Sequence, residues 1–275
     1  MSRRVSRPVR MTRRVLVGAL IGGAVLLPLL PLLIWPFAHG WFFPDLLPQT
    51  WTLRTWRYLI SPSARIGEAL FNSLAIAASV VSLAALVGLP AARVLARAHL
   101  RGKSLIEWLF LAPLIVPGLV VAMGIHILFI RYGLADTHIG VILVHLIPAL
   151  PYFVLIMGSV FANYSIELEE TARTLGAGAL RVFWHITLPA IAPGLTVAAL
   201  FTFLVSWSQY ITTVLIGGGK VITLPMLLFP FISAANHPQA AAVSLIFLAP
   251  AFVVLAFTAR VLAGRPAVLG GLGRI

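Results

Sequence analysis

A chain of 275 residues that is 60% hydrophobic and only 10% charged cannot hide its apolar surface in a water-soluble domain, where about a quarter of residues carry charge. The absence of cysteine excludes a disulfide framework, a thiolate metal site and a thiol nucleophile. The net charge of +13 reads as lysine and arginine flanking membrane spans rather than as a nucleic-acid footprint, because it clusters at the ends of apolar runs. Those runs are long and unbroken, unlike the alternating ~10-residue segments of a barrel. Backbone groups in lipid must pair within their own segment, so the fold class is an all-α polytopic transmembrane bundle.

A span needs about 20 apolar residues. Residues 1–14 form a basic N-terminus with Arg3, Arg4, Arg7, Arg10, Arg13 and Arg14, followed by a first span over 15–37. This run is longer than the ~7–15 residues of a signal-peptide core and lacks a small-residue cleavage site, so it is expected to be retained. Residues 38–67 form an outer segment whose Trp41, Trp51, Trp56 and Tyr58 suit the headgroup interface, with a short amphipathic helix lying there. Five further spans follow over about 69–92, 105–130, 139–161, 194–216 and 239–262, within a core of 68–262, and 263–275 is a tail. Pro113 and Pro117, Pro148 and Pro151, and Pro250 fall inside these spans and can kink them. With the N-terminus inside, fifteen of the twenty basic residues share one face, so both termini and the 162–193 loop are expected in the cytoplasm.

That loop is the polar exception in the chain. Asn163 or Ser165 can cap a helix whose first turns carry Glu167, Glu169 and Glu170, acids that suit the positive helix end. Glu170 and Arg173 are spaced to pair, and Gly176 and Gly178 stop or bend the helix. A second amphipathic stretch, residues 180–186, leads to Leu188 and Pro189.

Here the sequence resembles binding-protein-dependent ABC transporter permeases, whose loop pattern is E-A-A-x-x-x-G-x9-I-x-L-P. Glu170, Ala172, Gly176, Ile186, Leu188 and Pro189 match, and Thr171 stands where the family usually has alanine. Asn72 and Ser73 entering the second span, Pro113 and Pro117 in the third, and Pro193-Gly194 after the loop are similar too. The resemblance implies a type I importer permease (MetI-like) fold in a bacterial inner membrane. It implies that Glu170, Thr171, Ala172, Gly176, Ile186, Leu188 and Pro189 shape a coupling helix seated in a cytoplasmic ABC ATPase dimer. It further implies a second permease subunit, identical or related, and a periplasmic or lipid-anchored substrate-binding protein. The stretches around Ser206 and Thr223 resemble the spermidine/putrescine, thiamine and phosphonate-type members, which makes a small polar organic solute the expected cargo.

No phosphate-binding loop occurs in the chain: Gly217-Gly218-Gly219-Lys220 has the wrong spacing and reads as an outer turn. ATP and Mg are therefore expected on the partner subunit, with no cofactor, no metal site and no catalytic set in this chain. His138 and His145 share a helix face. Polar residues in spans face protein or a cavity, and Ser206, Gln209 and Thr213, with Asn72 and Ser73, are the candidate pathway residues. No acid lies mid-span, so a cationic solute would lack a counter-ion here. The competing class is an ion-coupled secondary transporter, against which the missing intramembrane acids and internal repeats count.

Overall fold

The computed structural model describes residues 17–98, apart from 19, 21, 25 and 43, and residues 101–263. The basic N-terminus and all but the first residue of the tail lie outside these. The chain divides into two compact units, one made of residues up to 66 with 228–247 and the other of residues 67–227 with 248 onwards.

In the first unit, the described residues of the expected first span are helical up to Leu26. The run then breaks into a 3-10 turn Leu27–Leu29, helix α1 over Leu30–Ile34 and a second 3-10 turn Trp35–Phe37. Each piece has proline in its first turn, where the missing N–H costs nothing and the fixed φ starts a new helix. A two-stranded antiparallel ribbon follows, β1 Ala38–His39 against β2 Thr50–Trp51, with Ala38 opposite Trp51. The expected amphipathic helix is α2, Arg54–Ile60, whose Thr55 and Leu59, four residues apart, are its buried face. Trp35 stacks on His237 with ring centroids 4.8 Å apart, and Phe37 meets Trp56 at 5.8 Å.

In the second unit, α3 (Ile66–Arg97) and α6 (His138–Ala162) extend the expected second and fourth spans by a few residues. Pro148 and Pro151 leave α6 continuous. The expected third span is two helices, α4 (Lys103–Ile115) and α5 (Gly118–Arg131), bent by 102° at their junction. Proline disfavours helical geometry in the residue before it: Val116, preceding Pro117, is extended at φ −76°, ψ 130°.

The expected fifth span also differs. Its helix begins inside the loop, as α8 (Ala179–Val182), runs through a π-helical turn Phe183–Thr187 into α9 (Leu188–Trp207), stops, and resumes as α10 (Ile211–Gly217). Before α8 comes the loop helix α7, Glu167–Thr174. The remaining helices are α11 (Leu224–Ser233) and α12 (His237–Ala263), the latter covering the expected sixth span. Among the described residues, four helices are long and apolar enough to cross a membrane, or five if the bent pair is one span.

Two apolar clusters hold the helices of this unit together, one joining α3, α6 and α9 and the other α3, α5, α6 and α10. One gathers Ala84, Ala92, Phe153, Met157, Phe161, Ile191 and Ala198. The other gathers Ile76, Val80, Phe129, Val141, Val144 and Ile216. Small residues allow close approach, as membrane helices require without a hydrophobic drive between them. A Cβ on Gly88 would stand 2.7 Å from the Phe153 ring, and one on Gly194 would run into Val160. The expected turn at Gly217–Lys220 is present: Gly218 and Gly219 take φ +53° and +78°, and Lys220 Nζ pairs with Asp136 Oδ2 at 3.1 Å.

Candidate functional site: the loop helix and the broken helix

Helix α7 starts weakly and ends sharply. Ser165 Oγ accepts from the Glu167 N–H at 3.4 Å, whereas Asn163 turns back and donates to the Ser159 carbonyl at 2.8 Å. At the other end, the Ala177 N–H bonds the Ala172 carbonyl and the Gly176 N–H bonds the Arg173 carbonyl, each at 3.0 Å. This pair of bonds is the Schellman stop, which needs a left-handed residue. Gly176 supplies it at φ +87°, and nothing lies within 4 Å of where its Cβ would be. The glycine is thus demanded by backbone conformation, and the space around it is open.

The motif residues lie on an accessible ridge. Glu170, Thr171 and Gly176 are exposed, Ala172, Ile186 and Leu188 are half-buried, and Pro189 is exposed in the first turn of α9. Thr171 turns its hydroxyl onto the Glu167 carbonyl at 2.8 Å, so the departure from alanine is absorbed within the helix. Apolar side chains surround the ridge, with Leu175 82% and Leu180 74% exposed and Leu168 and Trp184 also open. Leu168 and Leu175 lie on or just after the polar helix α7, and Leu180 and Trp184 in the turns that lead into α9. Pro189 has no N–H to offer the carbonyl four residues back, and the preceding turn widens into the π segment. His185 Nδ1 donates there to the Arg181 carbonyl at 3.0 Å. Such π turns recur at functional positions.

The residue that anchors α7 was not among those expected. Glu169 is 1% exposed. Its Oε2 lies 2.7 Å from Arg93 Nη2 on α3, and its Oε1 accepts from the Thr187 hydroxyl at 2.8 Å. Arg173 also turns to Glu169, at 3.8 Å, rather than to Glu170 as its spacing had suggested. Burial alone would raise the Glu169 pKa, but the hydrogen bonds from Arg93 and Thr187 outweigh it and hold the carboxyl below the usual glutamate range. One turn along α3, Arg97 donates to the carbonyls of Phe161 and Tyr164, and its guanidinium stands 5.4 Å from the Tyr164 ring centre. Burial pushes the Tyr164 hydroxyl up, with Glu169 adding to the effect. No local signal could have revealed this cluster, since Arg93 and Glu169 are 76 residues apart.

The candidate pathway residues fall into two groups. Ser206 and Thr213 flank the gap between α9 and α10, and both meet His145, which is 1% exposed on α6. His145 Nδ1 is 3.1 Å from Ser206 Oγ and Nε2 is 2.9 Å from Thr213 Oγ1. The Thr213 hydroxyl donates to the Gln209 carbonyl, so it must accept from Nε2–H, which leaves Nδ1 to accept from Ser206. Gln209 sits half-buried in the gap and accepts from Thr212 at 2.8 Å. The fifth span expected over 194–216 is therefore interrupted at 208–210. Asn72 and Ser73, near the start of α3, bind backbone instead. Asn72 Nδ2 donates to the Ile222 carbonyl at 3.0 Å, and Ser73 Oγ accepts from the Leu224 N–H at 2.9 Å. Among the described residues, no group of three histidine or acidic side chains converges to hold a metal ion.

The fold is similar to that of chains in solved ABC transporters. The structure matches a chain of a bacterial ABC transporter involved in the import of alginate, with TM-score 0.73 at 18% identity over 94% of this chain and 99% of that one. It also matches a chain of the MetNI methionine ABC transporter, with TM-score 0.56 at 17% identity over 74% and 99%. At these identities the likeness shows the fold alone.

Residues 84–265 match the model of the family described as binding-protein-dependent transport system inner membrane component. The chain belongs to that family. Similar proteins include the diacetylchitobiose uptake system permease protein NgcG of Streptomyces coelicolor, 32% identical over 62% of this chain and 56% of that one. The putrescine transport system permease protein PotI of Escherichia coli is 28% identical over 74% and 75%. The molybdenum transport system permease protein ModB of Mycobacterium tuberculosis is 30% identical over 75% and 83%. The chain thus spans little over half of the first relative and three quarters or more of the other two.

Proposed function

We propose that this chain is a pathway-forming subunit of an ATP-driven importer in a bacterial inner membrane, with both termini and the α7 loop in the cytoplasm. Helix α7 is the coupling element. Glu170, Thr171, Ala172 and Gly176 present its docking ridge to a separate ABC ATPase dimer that holds ATP and Mg, and Ile186, Leu188 and Pro189 set the return into the bundle. A second permease subunit completes the pathway, and a periplasmic or lipid-anchored binding protein delivers the solute. Asn72, Ser73, Ser206, Gln209 and Thr213 shape the polar part of the pathway around the gap between α9 and α10. The cargo is a small polar organic solute of the polyamine, thiamine or phosphonate kind. The relatives above, named for a chitin disaccharide, a polyamine and molybdenum, show how widely cargo varies within the family.

The observation that carries this reading is the loop itself. An eight-residue helix is anchored through its single buried side chain, a carboxylate, and leaves its motif face and Leu168, Leu175, Leu180 and Trp184 open. A loop that merely linked two helices would have no reason to combine a rigid anchor with an open apolar rim. The test is gentle purification of the tagged chain with mass spectrometry of its companions. A nucleotide-binding subunit near stoichiometry is expected, lost in Gly176→Asp. Aspartate enters the left-handed region more readily than most side chains, so this variant strains the turn less than a bulkier one would while adding a charge to the docking surface. A chain that purifies alone and transports under an ion gradient without ATP would overturn the reading.

A further inference from the structure

Helix α7 contributes no apolar side chain to the core: Leu168 and Leu175 are exposed, and Glu169 is its only buried residue. A helix of two turns has little stability of its own in water, and side chains hold the two ends of this one only lightly. On one side stands the 3.4 Å contact from Ser165. On the other is the stretch from Gly176 to Gly178, where a Cβ at either glycine would meet nothing within 4 Å. Its seat on the bundle is a carboxylate, and the two oxygens go to different apolar helices. Oε2 is held by Arg93 of α3, and Oε1 by Thr187, the last residue of the π turn before α9. Arg97 holds the chain where it leaves α6.

We propose that Glu169 is a positioning residue of the transport cycle: its carboxylate, shared between Arg93 and Thr187, makes α7 move as one body with α3 and α9. A displacement imposed on α7 by the ATPase is thereby passed to the helices that form the pathway instead of being absorbed by a pivot at the glycines. The inference rests on reading α7 as the coupling element. It assigns a transmitting role to two residues, Arg93 and Thr187, that lie outside the matched loop pattern or between its fixed positions. A directional pair suits this work better than an apolar contact. An apolar face slides at little cost, whereas separating this pair leaves the buried Glu169 carboxylate without its partner. Force along α7 is then carried by the pair.

The experiment uses the whole transporter, with its ATPase and binding protein, in proteoliposomes, and reads solute moved per ATP hydrolysed. Glu169→Gln keeps the shape and the oxygen that Thr187 addresses but removes the charge that holds Arg93. The ATPase should still copurify at normal stoichiometry and hydrolyse ATP, while solute per ATP falls at least ten-fold. Arg93→Gln should do the same, and the double variant should be no worse than either single one. Because the chain has no cysteine, Arg93→Cys with Glu169→Cys can be bridged by a short reducible bis-methanethiosulfonate. Bridging should restore the ratio and reductant should abolish it again.

An unchanged ratio in Glu169→Gln overturns the proposal. So does a fall in transport and hydrolysis together at constant ratio with a lowered Tm, the mark of a merely structural contact, and so does a bridge that forms without restoring coupling. If the unaltered chain recruits no ATPase at all, the coupling reading fails first, and that outcome is seen in the purification before any ratio is measured.

Discussion

The loop end of the second unit and the gap between α9 and α10 solve the same problem with opposite chemistry. In both, the helical run is broken and a buried polar side chain bonds to residues distant in the chain. At the loop, the tie is ionic: Glu169 on Arg93 and Thr187, with Arg93 itself about a third exposed at 32%. At the gap, it is neutral: His145, 1% exposed, between Ser206 and Thr213. The difference follows from desolvation. Burying a charge costs several kcal/mol that only close, complete pairing offsets, which is feasible where one partner still reaches water. Deep among apolar side chains, a neutral imidazole with one donor and one acceptor satisfies two hydroxyls at much lower cost.

This contrast can be broken or sharpened by substitution. The largest effect is expected from His145→Ala, which leaves the buried Ser206 hydroxyl without its acceptor at about 1–3 kcal/mol and takes one of two partners from Thr213, which keeps its bond to the Gln209 carbonyl, besides the cavity. Thermal unfolding in detergent should show a loss on the order of 3–5 kcal/mol. A fall below about 1 kcal/mol would mean that water or rearrangement replaces the imidazole. Next comes Glu169→Ala. A fully buried pair would cost about 3–5 kcal/mol when broken, but the exposure of Arg93 screens part of it, so about 2 kcal/mol is expected. An equal loss in Arg93→Ala would confirm that the pair is the anchor.

Gly176→Val forces a β-branched residue to φ +87° and should weaken the loop-end turn by about 1–2 kcal/mol. Gly176→Asn, which tolerates that region, should lose far less. Uptake at matched expression separates the two, and equal behaviour would argue against the left-handed stop. The smallest effect is the pH dependence. Glu169 has a folded-state pKa below its ordinary value of 4.5, so the folded state binds fewer protons than the unfolded one around that pH. Its contribution is complete above about pH 4.5 and is lost as pH falls through the depressed value. A stability profile of the native chain should therefore fall more steeply on acidification than that of Glu169→Gln, and parallel curves would remove Glu169 from the account.

Much of this was legible beforehand. The lengths of the apolar runs placed α3, α6 and α12 within a few residues, and the glycine in the loop pattern marked the end of α7. The motif also pointed to the family that the comparisons established. Other features were hidden. Proline signals alone did not say which helices would break: Pro148 and Pro151 lie inside an unbroken α6, whereas Val116 before Pro117 turns the chain by 102°. A proline ring is accommodated or not according to what packs beside it, and that is not a local property. The stop at 208–210 was misjudged because an apolar count runs straight across Ser208 and Gln209.

What the sequence determined by itself is whatever is decided within a turn or two of helix: the apolar runs that must be helical in lipid, the left-handed stop at Gly176, the proline starts of the short segments, and the ridge pattern of α7. What only the tertiary structure decided is which polar groups meet. Arg173 had Glu169 and Glu170 both within reach and is found beside Glu169, because Arg93 and Thr187 have already drawn that carboxylate inward. His145, Ser206 and Thr213 come together across more than sixty residues. Pairings at that range are chosen by how whole helices pack, because a buried charge or hydroxyl is held only where the fold brings a partner to it.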